Sequence, residues 1–364
     1  MPQVTQAGLN ILDLGVGELR AEMVRAGLPS YRANQVLGWV FKKQATGFEQ
    51  MTNIPKADRA LLAERFSLRL PTVVKTAASA DDDTRKFLMR LEDGATIESV
   101  LMTDRGRATL CVSSQVGCAL GCAFCATGQM GFQRNLTAGE IVGEVLMAER
   151  ERRLSNHVFM GMGEPLLNLE NVLKAIGILT DADGLALLPR RITVSTSGIL
   201  AGIERLRKSG AGVNLALSLN SPFDEERRRL MPVARRCSIV ELAAACEVYA
   251  AETGREVSLE YVMFSGVNTT ARHAQALARL AAQIPATVNL IAFNTVKGSG
   301  FKPPEREEVH RFRDMLVAHR ARVTIRYRRG RDIAAGCGQL RAQTDPTAET
   351  QRAQRRGWSS EFRG

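Results

Sequence analysis

The spacing of hydrophobic positions changes along the chain, and each change predicts a different kind of element. In the first stretch, apolar residues recur every three or four positions in three runs, which is the pattern of amphipathic helices. The next stretch, residues 84–103, holds two strand-like runs separated by Asp93-Gly94, a tight-turn signal. We therefore predict an N-terminal helical accessory domain over residues 1–70, a candidate RNA contact, and a β-hairpin extension over residues 71–106.

From residue 109 onward, short strand-like runs alternate with amphipathic helical runs. This alternation is typical of βα units and a parallel sheet, which right-handed crossovers curl into a barrel or wind doubly. Thr137 and Glu140 form a capping-box pattern at the start of one helix. An α/β domain is predicted over residues 107–340, with a flexible polar tail over residues 341–364. Strands are expected at residues 109–114, 157–161, 191–195, 213–219, 257–264, 288–293 and 322–327.

The charge of the chain indicates a polyanionic partner. Its 364 residues carry a net charge of +11, and nucleic acid is the first candidate for so basic a protein. The chain has no run of eighteen apolar residues and no basic-then-apolar leader, so no membrane contact and a cytoplasmic location are expected. Thiols stay reduced in the cytoplasm, and clustered cysteines there indicate metal binding or catalysis rather than structural disulfides.

The residues least suited to ordinary packing follow the predicted strands. The carboxyl ends of parallel strands form the active face of barrels and open α/β sheets, so these residues are expected at one rim. Turns are naturally rich in Gly, Asn and Ser, which explains the glycines but not the cysteines or Glu164. The segments concerned are the cysteine-rich loop after 109–114, the run 161–165, and the loops carrying Ser195, Asn220, Asn294 and Cys337.

Four of the seven cysteines lie within residues 111–125, and three of them have the spacing C-x3-C-x2-C. Zinc sites usually pair two C-x2-C knuckles, or one knuckle with two histidines, and none of the four histidines forms such a pair here. Three thiolates without a fourth suit an iron–sulfur cluster with one open iron, to which amino and carboxylate groups could bind. A zinc-stabilised RNA-binding protein without catalysis remains the alternative. The three are Cys118, Cys122 and Cys125.

This spacing is the hallmark of radical S-adenosylmethionine (SAM) enzymes, and the stretch closely resembles theirs. Phe124 before the last cysteine and the glycine–acid run Gly161-Met162-Gly163-Glu164-Pro165 after the next strand strengthen the resemblance. Longer motifs, together with an N-terminal run that begins at Tyr31, resemble the RlmN/Cfr family of RNA adenine methyltransferases from about residue 16 to about residue 340. These motifs are residues 107–137, 161–168, 190–198, 260–268 and 332–340.

The resemblance implies a fold, a reaction and cofactors. The fold is a partial (βα)6 radical SAM barrel, and the cofactors are one 4Fe–4S cluster on Cys118, Cys122 and Cys125, with two SAM molecules per turnover. The reaction is methylation of carbon 2 of an adenine in 23S rRNA, with tRNA as a further target. Methylation of carbon 8 by a Cfr-like enzyme is the alternative, and a radical enzyme acting on a small molecule is another. A flavodoxin-type reductant and a monomer are expected.

Within this family the resemblance assigns roles to three further residues. Cys337 takes a methyl group from one SAM, and a radical from the second SAM removes a hydrogen from that methyl. Cys111 then resolves the protein–RNA adduct and is left in a disulfide with Cys337, which reduction resets. Glu98 occupies the position of the proton acceptor.

The resemblance also implies SAM contacts, some of which depart from the family pattern. The expected contacts are Gly163, Glu164, Ser195, Ser218, Leu219, Asn220 and Asn294. The family usually has histidine at Asn220, a Pro-Trp pair at Ala292-Phe293 and alanine at Gly336, so the departures bear on RNA specificity more than on the reaction. Basic runs fit RNA, and the one beside Cys337 is the preferred contact. These runs are residues 227–229, 235–236 and 326–331.

Overall fold

The structure, a computed structural model, describes residues 8–342. The N-terminal part is helical, as its periodicity predicts, and a short parallel strand pair joins its two ends. Beyond residue 342, the predicted tail lies outside the described residues. The elements of this part are β1 (Leu9–Asn10), α1 (Val16–Arg25), α2 (Arg32–Leu37) with a π-helical turn over Gly38–Lys42, α3 (Lys56–Arg65) and β2 (Phe66–Ser67).

Polar contacts fix this helical part against the rest of the chain. Arg20 forms an ion pair with Asp183 at 2.9 Å, and the carboxylate of Asp13 accepts a hydrogen bond from the backbone N–H of Gly139 at 2.6 Å. None of the described helices is long and apolar enough to cross a membrane.

One large sheet carries most of the remaining strands. In chain order these strands are β3 (Thr72–Ala78), β4 (Thr84–Arg90), β5 (Thr96–Asp104), β6 (Arg107–Cys111), β7 (Gln115–Gly117), β8 (Phe132–Asn135), β9 (Asn156–Phe159), β10 (Ile192–Thr196), β11 (Asn214–Ser218), β12 (Val257–Met263), β13 (Ala286–Ala292) and β14 (Val323–Arg326). Ten of them pair in the order β14-β13-β12-β11-β10-β9-β6-β5-β4-β3, and β7 and β8 form a small hairpin.

The sheet changes direction at β6, which pairs antiparallel with β5 and parallel with β9. From β6 through β9 to β14 all neighbours are parallel, and this is the predicted partial radical SAM barrel, with β14 as a seventh parallel strand. The strands β3, β4 and β5 extend the same sheet as antiparallel neighbours.

Helices connect the parallel strands, and their ends follow the local sequence. The predicted capping box is present at α5 (Ala138–Glu151), where Thr137 Oγ1 accepts from Glu140 N and the Glu140 carboxylate accepts from Thr137 N. Ser238 and Glu241 cap α9 (Ile239–Thr253) in the same way. The helices are α4 (Ala126–Gln129), α5 (Ala138–Glu151), α6 (Leu169–Thr180), α7 (Leu200–Lys208), α8 (Asp224–Leu230), α9 (Ile239–Thr253), α10 (Ala271–Gln283) and α11 (Arg306–Ala318).

Candidate active site

Loops from the carboxyl ends of the parallel strands meet around one cavity, as their positions in the sequence predict. We call it the triplet cavity, because all three cysteines of the C-x3-C-x2-C run line it. Its other polar lining comes from residues within β10, β11 and β12 and from residues that follow β9, β10, β11 and β14. These are Glu164, Ser195, Ser197, Ser218, Asn220, Glu260 and Cys337.

Backbone contacts hold the loop of the three cysteines in place. Gly117, at the end of β7, has a φ of +75°, and a Cβ there would lie 1.9 Å from the carbonyl oxygen of Gly131. Only glycine therefore lets the hairpin of β7 and β8 close at the base of the loop. The N–H of Cys118 donates to that same carbonyl at 2.9 Å, and the N–H of Ala123 donates to the carbonyl of Leu230 in α8 at 2.9 Å.

The three thiols suit a cluster better than a single ion. Among residues 8–342, no three His, Cys, Asp or Glu side chains converge as a single metal ion would require, so the predicted zinc alternative has no site there. All three cysteines line one cavity, and a cluster that each of them ligates through a different iron would sit there. Burial raises the pKa of the Cys118 thiol to about 11, so a bound cation must supply the charge that stabilises the thiolates.

Glu164 lies on the wall of the triplet cavity as a buried acceptor. Its Oε2 accepts from the N–H of Ser197 at 2.8 Å, and burial raises its pKa to about 7 in spite of that bond. The preceding Gly163 has a φ of +100°, and a Cβ there would lie 2.5 Å from Cβ of Gln115. Gln115 Oε1 in turn accepts from the N–H of Glu164 at 2.9 Å. Gln115 is a supporting residue that the sequence motifs did not single out.

The other expected SAM contacts are distributed unequally. The side chains of Ser195 and Ser218 line the triplet cavity, whereas Leu219 lines neither this cavity nor the one described next. Asn220 lines it too, but its Oδ1 is already engaged by the N–H of Val262 at 3.0 Å. Asn294 faces the neighbouring cavity instead.

A second cavity adjoins the first, and we call it the thiol cavity because Cys111 and Cys337 both line it. Cys337 is exposed and lines the triplet cavity as well, so it stands where the two cavities meet. Burial raises the pKa of Cys111 to about 12, and Cys337 adds to this effect while Arg326 opposes it. All seven cysteines are free thiols. The disulfide predicted between Cys111 and Cys337 is therefore absent from the structure, and as a reaction intermediate it stays a prediction.

Arg326 enters the thiol cavity from β14. One of its guanidinium N–H groups donates to Sδ of Met160 at 3.3 Å. Removal from water lowers its pKa, but the neighbouring Cys337, Glu260 and Cys111 outweigh this effect, so its pKa is raised overall. Arg326 was predicted only as part of a basic run for RNA, and the structure places it beside the thiols instead.

Glu98, the predicted proton acceptor, lines neither cavity. Its carboxylate is 3.1 Å from Nζ of Lys86 and accepts from the backbone N–H of Arg341 at 2.7 Å. The role assigned by resemblance stays a prediction, and Lys86 is a partner that the sequence reading did not identify.

Two arginines of the predicted RNA-contact runs make contacts within the protein. Arg227 is completely buried, and its guanidinium donates to the carbonyl oxygens of Leu219 at 2.9 Å and Ser197 at 3.1 Å. It therefore supports the loops after β10 and β11. Arg329 pairs with Asp104 at 2.9 Å and donates to the carbonyl of Thr103.

Comparison with known proteins decides what this site belongs to. The sequence profile of the radical SAM superfamily matches residues 112–289, and that of the ribosomal RNA large subunit methyltransferase N-terminal domain matches residues 9–68. The dual-specificity RNA methyltransferase RlmN of Alkalilimnicola ehrlichii is 46% identical over 338 residues, which cover 91% of this chain and 93% of that protein. The chain belongs to the RlmN family. It is therefore a radical SAM RNA methyltransferase.

Other RlmN-family proteins and a solved structure agree with this assignment. RlmN of Geobacter sulfurreducens is 43% identical, with 93% of each chain covered. The crystal structure of a radical SAM methyltransferase from Sphaerobacter thermophilus superposes with a TM-score of 0.89 at 45% identity, covering 92% of this chain and 100% of that one. Membership in the radical SAM superfamily implies an iron–sulfur cluster and SAM.

Proposed function

We propose that this chain methylates carbon 2 of an adenine in 23S rRNA and in tRNA, with Cys337 as the methyl carrier. The observation that carries the proposal is the position of Cys337, whose thiol lines both the triplet cavity and the thiol cavity. From there one side chain can face SAM on one side and a target base on the other. The relatives named above are dual-specificity RNA methyltransferases, which supports both classes of substrate.

The residues of the triplet cavity fit the cofactors of this family. Cys118, Cys122 and Cys125 would hold one 4Fe–4S cluster, and Glu164 would accept the amino group of SAM. When bound, the cluster supplies the electron that cleaves SAM to a 5′-deoxyadenosyl radical. The apolar lining of the cavity, which includes Phe124 and Phe293, would limit the access of water to bound SAM, and Ser195 and Ser218 would orient it. Asn220, whose Oδ1 accepts from Val262, would support this wall.

Cys337 solves the chemical difficulty of the substrate. Carbon 2 of adenine is not nucleophilic, so direct attack on the methyl group of SAM fails. In our proposal the Cys337 thiolate accepts a methyl group from one SAM, and the radical from a second SAM removes one of its hydrogens. After the resulting methylene radical adds to carbon 2, the ring would lose one electron to the cluster and its carbon 2 proton to a base. Attack of the Cys111 thiolate, which lines the same thiol cavity, on the sulfur of Cys337 would then break the sulfur–carbon bond, leave the disulfide and release the carbon, which takes up a proton to become the methyl group.

The surface beside the thiol cavity fits RNA. Tyr327 is 62% exposed at the rim, where a base can stack on its ring. Arg328 lines the same cavity, and Arg331 lines the clefts beside it; among residues 8–342, neither forms an ion pair. Phosphate contacts there would position the RNA, and the target adenine must leave its stack to reach Cys337.

Expression in a bacterial strain that lacks this activity tests the proposal. Nuclease-digested 23S rRNA and tRNA are compared by mass spectrometry, and 2-methyladenosine is expected with the wild-type chain and absent with Cys337→Ala. Cys246→Ala, a buried cysteine of α9, is the matched control and should retain the product. A product methylated at carbon 8 would replace our assignment with the Cfr-like alternative, and neither product would contradict both.

The remaining details are part of the same proposal. We infer one 4Fe–4S cluster per chain, two SAM molecules per turnover, a flavodoxin-type reductant and a cytoplasmic monomer. About four irons per chain after anaerobic reconstitution, with broad visible absorption, is the expected result for the cluster. Loss of iron binding in a variant with all three cysteines of the triplet changed to alanine would confirm its position.

A further inference from the structure

The segment that carries Cys337 is fastened on both sides by one ion pair. Nζ of Lys86 donates to the carbonyl oxygen of Ala334 at 3.2 Å, three residues before Cys337. The carboxylate of Glu98 accepts from the N–H of Arg341 at 2.7 Å, four residues after it. The ammonium and the carboxylate are themselves 3.1 Å apart, and their side chains are only 16% and 7% exposed.

The sheet brings this pair together. Lys86 of β4 lies opposite Val100 of β5, and Glu98 lies opposite Leu88, so the two charged residues are diagonal neighbours on one face. Arg85, which directly precedes Lys86 in β4, points to the other face and pairs with Glu151 of α5. Two hydrogen-bonded strands thus present both groups toward the Cys337 segment from a rigid support.

The segment is also hydrogen-bonded to the start of α4, directly after Cys125. The N–H of Ala126 donates to the carbonyl of Gly338 at 2.7 Å, and Oγ1 of Thr127 donates to that of Leu340 at 2.6 Å. Residues 331–342 contain no helix or strand of their own. The position of Cys337 therefore depends on these side-chain and backbone contacts rather than on a regular element.

We propose that Lys86 is a positioning residue, which together with Glu98 anchors the segment 334–341 and so holds the Cys337 thiol where the two cavities meet. The use of that thiol in methyl transfer rests on the proposed function, but the anchor does not. In the anchored arrangement Glu98 is engaged by Lys86 and by Arg341.

The anchor is tested on the anaerobically reconstituted full-length protein by hydrogen–deuterium exchange and mass spectrometry. In Lys86→Met, peptides within residues 334–341 should exchange at least about tenfold faster, because the buried pair is broken, while peptides of α9 stay unchanged. Lys86→Arg should restore slow exchange to within about threefold, since it keeps the charge. Arg85→Met, on the other face of the same strand, is the matched control and should behave as the wild type.

A kinetic measurement separates positioning from a general structural effect. With SAM and RNA, Lys86→Met should lose about tenfold in kcat while KM for RNA is unchanged, since a displaced thiol reacts less often but leaves the RNA surface intact. If Lys86→Met does not fold, Glu98→Gln carries the exchange test alone, because it removes the ion pair and keeps an acceptor for the N–H of Arg341. It is not used for kcat, since Glu98 is also the predicted proton acceptor.

Several results would overturn the anchor. Unchanged exchange in the 334–341 peptides of Lys86→Met, or of Glu98→Gln where that variant is used, would do so, as would an equal change in Arg85→Met. If the wild type does not methylate RNA but Lys86→Met still shows the predicted faster exchange, the proposed function is refuted and the anchor is not.

Discussion

Glu144, a carboxyl near Cys111, makes the stability of the fold depend on pH in a way that can be measured. This carboxyl on α5 is completely buried, its Oε2 accepts from Ser99 Oγ and from the N–H of Ser113, and its Oε1 has no partner. Burial raises its pKa from 4.5 to about 8, against the opposing effect of those two hydrogen bonds. The folded protein therefore keeps Glu144 protonated at neutral pH, whereas the unfolded chain ionises it.

The sign and size of the effect follow from this difference. A group whose pKa is raised on folding contributes most below its unfolded pKa, and the contribution is lost as pH rises to the folded value. Each pKa unit corresponds to about 1.4 kcal/mol, so Glu144 should lower the free energy of unfolding by about 3.5 kcal/mol between pH 5 and pH 8. Glu144→Gln removes this titration.

Urea unfolding of the cluster-free, reduced protein measures the effect, with circular dichroism as the signal. The free energy of unfolding of Glu144→Gln minus that of the wild type should rise by about 3.5 kcal/mol from pH 5 to pH 8. Glu151→Gln changes an exposed carboxyl of the same helix and should show a flat difference. A flat difference for Glu144→Gln as well would refute the reasoning.

Single contacts at Arg227, Gly163 and Arg331 can each be tested by substitution. Arg227→Met leaves buried carbonyl oxygens without donors and should lower the free energy of unfolding in urea by about 2–4 kcal/mol. Substitution of the exposed Arg229 by Met should change it by less than about 0.5 kcal/mol, and equal losses in the two variants would contradict the supporting role of Arg227. Gly163→Ala places a Cβ 2.5 Å from Cβ of Gln115, at a φ of +100° that an alanine rarely adopts. The affinity for SAM, measured by equilibrium dialysis, should fall at least about tenfold, and an unchanged affinity would contradict this prediction. In filter-binding titrations, Arg331→Ala should reduce the salt dependence of RNA binding by about one phosphate contact. Lys208→Ala, on α7, should leave the salt dependence unchanged, and an equal reduction in both variants would contradict an RNA contact at Arg331.

The sequence predicted the parts of the fold that repeat a simple period. The parallel strands and α5 follow from alternating apolar runs and a capping box, and the convergence of Cys118, Glu164 and Asn220 follows from the rule that strand ends share a rim. β3 was not predicted, because it is an edge strand whose residues are half-buried or exposed and show no alternation of apolar positions. The hairpin of β7 and β8 is too short to show a period.

Charged residues were predicted less well, because burial of a charge leaves no periodic signal. Arg227 stands in a run of three arginines that looks like a solvated face, and only tertiary packing shows that it is buried. The Lys86–Glu98 ion pair could have been predicted from the sequence, since the Asp93-Gly94 turn fixes the register of β4 and β5. Its contact with the Cys337 segment was not, because that contact joins residues far apart in the chain.

In the proposed function, Cys337 carries the methyl group to adenine. The most direct measurement uses SAM with an isotopically labelled methyl group, followed by peptide mapping and nuclease digestion of the same sample. The label should be on the Cys337 peptide before RNA is added, and on carbon 2 of adenine afterwards. Labelled RNA from a Cys337→Ala protein, or a Cys337 peptide that never carries the label while the RNA does, would contradict the account.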